Sequence, residues 1–170
     1  MICDLHSGPL DAQRWGAKAA NLSRLATAGI LVPPGLCLWP RIVGTEARDR
    51  AIGAWLRESR AESVIVRSSS ANEDGPRTAG AGRSLSLPAV APDPRAVTDA
   101  IDVILATPEG TDSVLRSVIV QHEVLPALSG VAFARRTGEL IIEADAERFA
   151  VTSGSTVGSH ARVDRNGTSV

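Results

Sequence analysis

Tyrosine is absent from this 170-residue chain, and phenylalanine and tryptophan supply only two and three residues. With 44% hydrophobic residues the chain can bury a sizeable core, and that core must be aliphatic, filled by Val, Leu, Ile and Ala. An excess of either charge is missing as well. Eighteen basic residues face 19 acidic ones, interspersed to a net charge of −1, which leaves no basic stripe for nucleic acid and no acidic tail for disorder. No apolar run approaches the roughly 18 to 20 residues of a membrane span, and "MICDLHSGPL" has no charged n-region ahead of an apolar h-region. These absences predict a cytoplasmic protein that binds neither nucleic acid nor membrane. Cysteine is scarce: Cys3 and Cys37 have no metal-ligand spacing and read as free thiols. His6, His122 and His160 are scattered, so no histidine-built metal site is expected. Lysine occurs once, as Lys18, in a chain with seventeen arginines.

What is present falls into two regions. Apolar positions Ala20, Leu22, Leu25 and Ala28 recur at helical spacing from Ala17 to Ala28, and Gly29 is placed as a C-terminal stop. "ILVPPGLCLW" reads as extended, because Pro33 and Pro34 exclude helix. Thr45 caps a second predicted helix to about Ser59, with Ala47, Ala51, Trp55 and Leu56 as its buried stripe. "SVIVRSS" reads as a strand and "SLSLP" as another, and Asp93 followed by Pro94 opens a third helix to Ala106. Beyond it, "SVIVQHEVL", "SGVAFARR", "GELIIEAD" and "RFAVTSG" read as short strands of a small antiparallel sheet. The expectation is an α+β fold in a single domain, with a mixed α/β lobe over about 1–115, a mainly antiparallel β lobe over about 116–160 and a loose tail from about 161 to 170.

The chemistry-bearing residues concentrate in "RSSSANEDGPRTAGAGRS". Hydroxyls at Ser68, Ser69 and Ser70, glycines and the arginines Arg67, Arg77 and Arg83 make a composition that cradles phosphate. It matches neither the P-loop nor the dinucleotide fingerprint, and by itself it reads first as a solvated surface loop. A strand ending in Gln121, His122 and Glu123 can present polar groups to a base edge or simply end in polar residues, and Glu143 in "LIIEAD" can face outward. Lys18 is either a leftover of an arginine-biased composition or a position that needs a slim point charge rather than a planar guanidinium fork.

The order of four blocks gives these fragments a common frame. "GAKAANLSRLATAGILVPPGLCL", "VIVRSSSANEDGPRTAGAG", "VIVQHEVLPALSGVAFAR" and "ELIIEA" resemble the N-terminal nucleotide-binding region of the pyruvate phosphate dikinase and phosphoenolpyruvate synthase family, which rifampicin phosphotransferases share. The resemblance implies a trimmed ATP-grasp-like fold holding ATP between two lobes. On it, Lys18 and Arg67 fall on phosphate contacts, and Ser68, Ser69, Glu73, Asp74, Ala81 and Gly82 on the phosphate-side loop. Gln121, with Glu123 just after it, falls at the end of the strand flanking adenine; Ser129 and Gly130 match the Ser-Gly pair, and Glu143 the glutamate of the last block. The departures are specific: the loop's SFAGQ is "AGAGR", placing Arg83 where the family has Gln, and the Gly-Leu-Gly-Glu stretch is "DAERFAVTSG". The family's metal-binding acidic segment, phosphohistidine domain and barrel find no counterpart in these residues, so the expectation is a component that is not a self-sufficient dikinase, with Mg²⁺ only where a partner polypeptide supplies ligands. Two alternatives stand beside this ATP-dependent phosphotransferase component: a nucleotide-binding or interaction module that does not catalyse, and a small repurposed enzyme gripping an anionic substrate through Arg67, Arg83 and Arg135.

Overall fold

A computed structural model describes residues 1–39, 45–71, 85–107, 117–147, 150–153 and 158–164. The chain divides into two compact units, Met1–Glu123 and Val124–Val170. The first carries β1 (Ile2–Asp4), α1 (Ala12–Thr27), β2 (Gly35–Leu38), α2 (Thr45–Ser59), β3 (Val64–Ser69), β4 (Ser86–Val90), α3 (Pro94–Ala106) and β5 (Ser117–His122). The second carries β6 (Ser129–Ala134), β7 (Leu140–Asp145), the short α4 (Ala150–Ser153) and β8 (Ser159–Val163). Both sheets are antiparallel, ordered β1-β2-β5-β3-β4 and β6-β7-β8, and the class is α+β.

Strand alternation divides the first unit's interior between the two faces of its sheet. Leu36, Leu38, Val64, Val66, Val118 and Val120 point to one face, where Ile52, Trp55 and Leu56 of α2 and Val97, Ala100, Ile101 and Ile104 of α3 cover them. Cys37 and Ile119 point to the other and pack with Leu5 and with Trp15 and Ala19 of α1. The central strand β5 is therefore buried on both sides, which is why its sequence runs as an almost unbroken apolar stretch rather than alternating.

Helix boundaries follow local chemistry. Asp93 accepts from the N–H groups of Arg95 and Ala96 at 3.0 and 3.1 Å, with Pro94 at the first helical position. Gly29, at φ +78°, ends α1: its N–H donates to Ala26 and that of Ile30 to Leu25, a Schellman closure. Asp11 caps α1, which starts at Ala12, ahead of the helix expected from Ala17, and the run continues through Gly16. The expected stripe of α2 holds at Trp55 and Leu56, which are buried, but not in its first turn, where Ala47 is exposed and Arg48 is turned inward. Arg48 donates to Asp102 of α3 at 2.8 Å and to Asp49 at 3.3 Å, while Thr98 donates to Asp49 at 3.2 Å. Burial opposes the Arg48 charge, but these hydrogen bonds outweigh it and hold the guanidinium above its usual value.

Three further readings are corrected. β5, expected in the second lobe, pairs with β2 and β3 in the first sheet. In the stretch expected as the strand "RFAVTSG", residues 150–153 form the helical turn α4. The strand pairing with β7 is instead β8, so residues 161–163 belong to the sheet and not to a tail. Among the described residues no helix is long and apolar enough to cross a membrane. The Arg48 bridge should make α2 and α3 one cooperative piece: Arg48→Ala is expected to lower unfolding free energy by about 1–3 kcal/mol, read from the urea midpoint. An unchanged midpoint would show that the bridge adds nothing.

Candidate functional site

A break in α1 organises one end of the first sheet. Gly16 lies inside the helical run at φ 81°, ψ 161°, a left-handed conformation that glycine adopts without steric cost. A Cβ there would overlap the main chain and hydroxyl of Ser69. Its absence lets α1 touch the end of β3, 53 residues away in the chain.

The break also frees backbone groups, and hydroxyls take them up. In an unbroken helix the Ala19 N–H would donate to the Trp15 carbonyl. Instead the Ser69 hydroxyl is inserted between them, accepting from Ala19 N–H at 3.1 Å and donating to Trp15 O at 2.9 Å. Ala17 N–H donates to the Ser70 carbonyl at 2.9 Å. Ser117, the cross-strand partner of Ser69, also donates to Trp15 O, and its hydroxyl lies 3.3 Å from Ser69 O. Behind it the Cys37 thiol donates to the Ser117 hydroxyl at 3.4 Å. Ser69, Ser117 and Cys37 are all fully buried, so the junction is a closed polar cluster with every hydroxyl engaged.

Lys18 occupies the first turn after the break and is partly buried. It therefore sits at the positive end of the continuing helix, where the dipole favours an anion. Arg67 is partly buried on β3, two residues before Ser69, so alternation puts the two side chains on the same, α1-facing side of the sheet. Gln121 lies on that side too, and its amide donates to the Pro33 carbonyl at 2.9 Å. Arg67, Ser69 and Gln121 thus share the sheet face that α1 covers, and Lys18 lies on α1 itself. Ser68 does not: it is fully buried and alternates to the α2–α3 side.

The other expected residues are placed as follows. Glu123 accepts from the Ser63 hydroxyl at 2.6 Å and from Ala89 N–H at 2.7 Å, clamping the ends of β3, β4 and β5. His122 stacks edge-on to Trp55 at 5.5 Å. In the second unit Glu143 lies opposite Val131 and 4.0 Å from His160 Nε2. Gly130 in the same unit allows close approach of β6 to β7, since a Cβ there would overlap the Glu143 carbonyl, and Ser129 pairs with Asp145. Arg135 is held in the β6–β7 hairpin by Glu139 at 3.2 Å. Glu73, Asp74, Arg77, Ala81, Gly82 and Arg83 lie outside the described residues. Among the described residues no three His, Cys, Asp or Glu side chains form a group able to hold a metal ion.

Sequence reasoning missed Gly16, Trp15 and Ser117. Only Gly16 carried a signal, a glycine early in a helix beside the sole lysine; the role of Ser117 depends on strand register.

Two outcomes test the junction. Gly16→Ala should cost about 3 kcal/mol or more, because both the backbone angle and the space are wrong for a side chain, and Ser69→Ala about 1–3 kcal/mol, both read by chemical denaturation. Burial pushes the Cys37 thiol up to about 12, opposed by the Ser117 hydrogen bond and reinforced by Cys3. The stability this implies is intact below pH 9.0 and is lost between there and about 12, as the unfolded chain releases a proton that the folded one keeps. Wild type should therefore lose up to ~1.4 kcal/mol per pH unit more than Cys37→Ala across that window, and parallel curves would contradict it. No protein-family model and no curated protein matches this chain.

Proposed function

We propose that the chain is an ATP- or nucleotide-binding protein and an incomplete phosphotransferase component, completed by a partner polypeptide. The observation that carries this reading is the placement of Lys18 in the first turn after the α1 break and of Arg67 on the α1-facing side of β3, the strand that Ser69 ties to the broken helix. Phosphate recognition needs positive charge and donors held in place before the ligand arrives. The Gly16 break supplies that order for Lys18, and β3, paired on both sides, supplies it for Arg67. A lysine ammonium can follow a phosphate as a mobile point charge while a guanidinium grips it in a fixed fork, so the two cations are complementary. In this reading ATP, when bound, brings the transferable phosphoryl group, and Lys18 and Arg67 orient its phosphates. In this reading Mg²⁺ ligands come from the partner chain. A cytoplasmic location belongs to the same proposal.

One observation favours a second reading, a binding module that does not catalyse. Gln121 and Glu123, expected beside the base, already spend their side chains on Pro33, Ser63 and Ala89, which leaves the phosphate end as the better-equipped part of the site.

Calorimetric titration with ATP, ADP and AMP, with and without Mg²⁺, tests both. Affinity should fall with phosphate count, and Lys18→Ala and Arg67→Ala should each weaken ATP binding about tenfold or more, the scale of one charge-assisted hydrogen bond. ATP turnover that appears only with a partner chain supports the phosphotransferase; binding without turnover under every combination supports the module. Wild-type affinity in both variants would refute the site.

A further inference from the structure

The two cysteines, 34 residues apart in sequence, are direct cross-strand partners: β1 pairs β2 with Cys3 opposite Cys37. Directly opposed residues of an antiparallel pair point to the same face. Here both cysteines pack in the same cluster, Cys37 at its centre and Cys3 at its margin, against Leu5, Trp15 and Ile119. Their position in the ladder is set by two backbone hydrogen bonds, Trp39 N–H to Met1 O at 3.0 Å and Leu5 N–H to Gly35 O at 2.9 Å. These flank the cysteine pair by two residues on either side, so Cys3 and Cys37 occupy a hydrogen-bonded site, where Cα atoms stand about 5.5 Å apart. That spacing lies inside the roughly 4.4–6.8 Å range of disulfides.

We propose that Cys3 and Cys37 form a reversible cross-strand disulfide, a redox-responsive staple of β1 onto β2 behind the α1 junction. The reaction is thiol–disulfide exchange with a low-molecular-weight disulfide RSSR. Cys3 is the partly exposed partner and Cys37 is buried, so Cys3, as its thiolate, attacks RSSR, forming the mixed disulfide and releasing one RS⁻. Cys37 then gives up its proton and attacks the Cys3 sulfur, expelling the second thiol. In total two protein thiols and RSSR become one protein disulfide and two RSH. Burial keeps Cys37 protonated at neutral pH, which makes the second step the slow one.

The staple reaches the α1 junction through one atom. Cys37 Sγ now donates to the Ser117 hydroxyl, and in the disulfide that hydrogen is gone, leaving Ser117 bonded only towards Trp15 and Ser69. Any effect on the Lys18 side rests on the proposed anion site; the crosslink itself does not.

The test equilibrates the folded full chain with graded ratios of oxidised and reduced glutathione, then quenches in acid, alkylates under denaturing conditions and weighs the product. Wild type should lose both alkylation sites and two hydrogens, with tryptic peptide 1–14 linked to 25–41. Cys37→Ser should stop at one glutathione on Cys3. The ratio of oxidant needed should be lower by about tenfold or more for the folded chain than for the same chain in guanidinium, because the sheet holds the thiols together. Wild type that stops at the mixed disulfide, links two chains to each other, or oxidises no more readily folded than unfolded would overturn the proposal. None of these readouts depends on nucleotide binding.

Discussion

The insertion of the Ser69 hydroxyl into the Ala19–Trp15 backbone bond is the contact on which the α1 side of the first unit depends. It needs a glycine at 16, because only a residue without Cβ can bring the helix backbone against the end of β3. It needs a hydroxyl at 69, because only a group that both donates and accepts can replace a helix hydrogen bond in place. It also fixes where the helix resumes and therefore where Lys18 projects. The same contact closes the core around Trp15, Cys37 and Ile119, so packing and placement of the cation are two effects of one geometry.

The two units are built on different terms. In the first, a sheet covered on both faces buries most of the large aliphatic side chains, and the buried Arg48, Ser69 and Ser117 are tied into hydrogen-bond networks. In the second, a three-stranded meander is held chiefly by its ladder and by close approach at Gly130 and Gly158, and Ala150 is the only buried hydrophobic side chain among its described residues. Val124, Leu125, Leu128 and Phe133 there are more than half exposed. Lys18 and Arg67 both belong to the first unit.

How much of this was legible in the sequence follows from the range of each signal. Local chemistry read well: Asp93-Pro94 opened α3, Gly29 closed α1, and the β-branched runs became β3, β5 and β7. Periodicity failed where a polar side chain holds an inward position, as Arg48 does through Asp102 and Ser23 through the Ala20 carbonyl and the Leu10 N–H. The assignment of β5 to the second lobe failed because its apolar run marks a central strand without naming the strands it pairs with. Of the candidate site, Lys18 and Arg67 were visible as residue types, but Ser68 and Ser69 looked equivalent until strand alternation sent them to opposite faces. Trp15 and Ser117, which hold the junction with Gly16, were silent for the same reason, since their roles exist only once three distant segments meet.

The central claim is that a nucleotide's phosphates are held beside the α1 break. Chemical-shift mapping of the isotope-labelled chain with ATP tests it most directly, because it reads position as well as affinity. The amides of Ala17, Lys18, Ala19 and Ser70 should move most, with smaller shifts around Arg67 and none at the α2–α3 face. Saturable shifts confined to other segments, or no shifts at all with the chain folded, would contradict it.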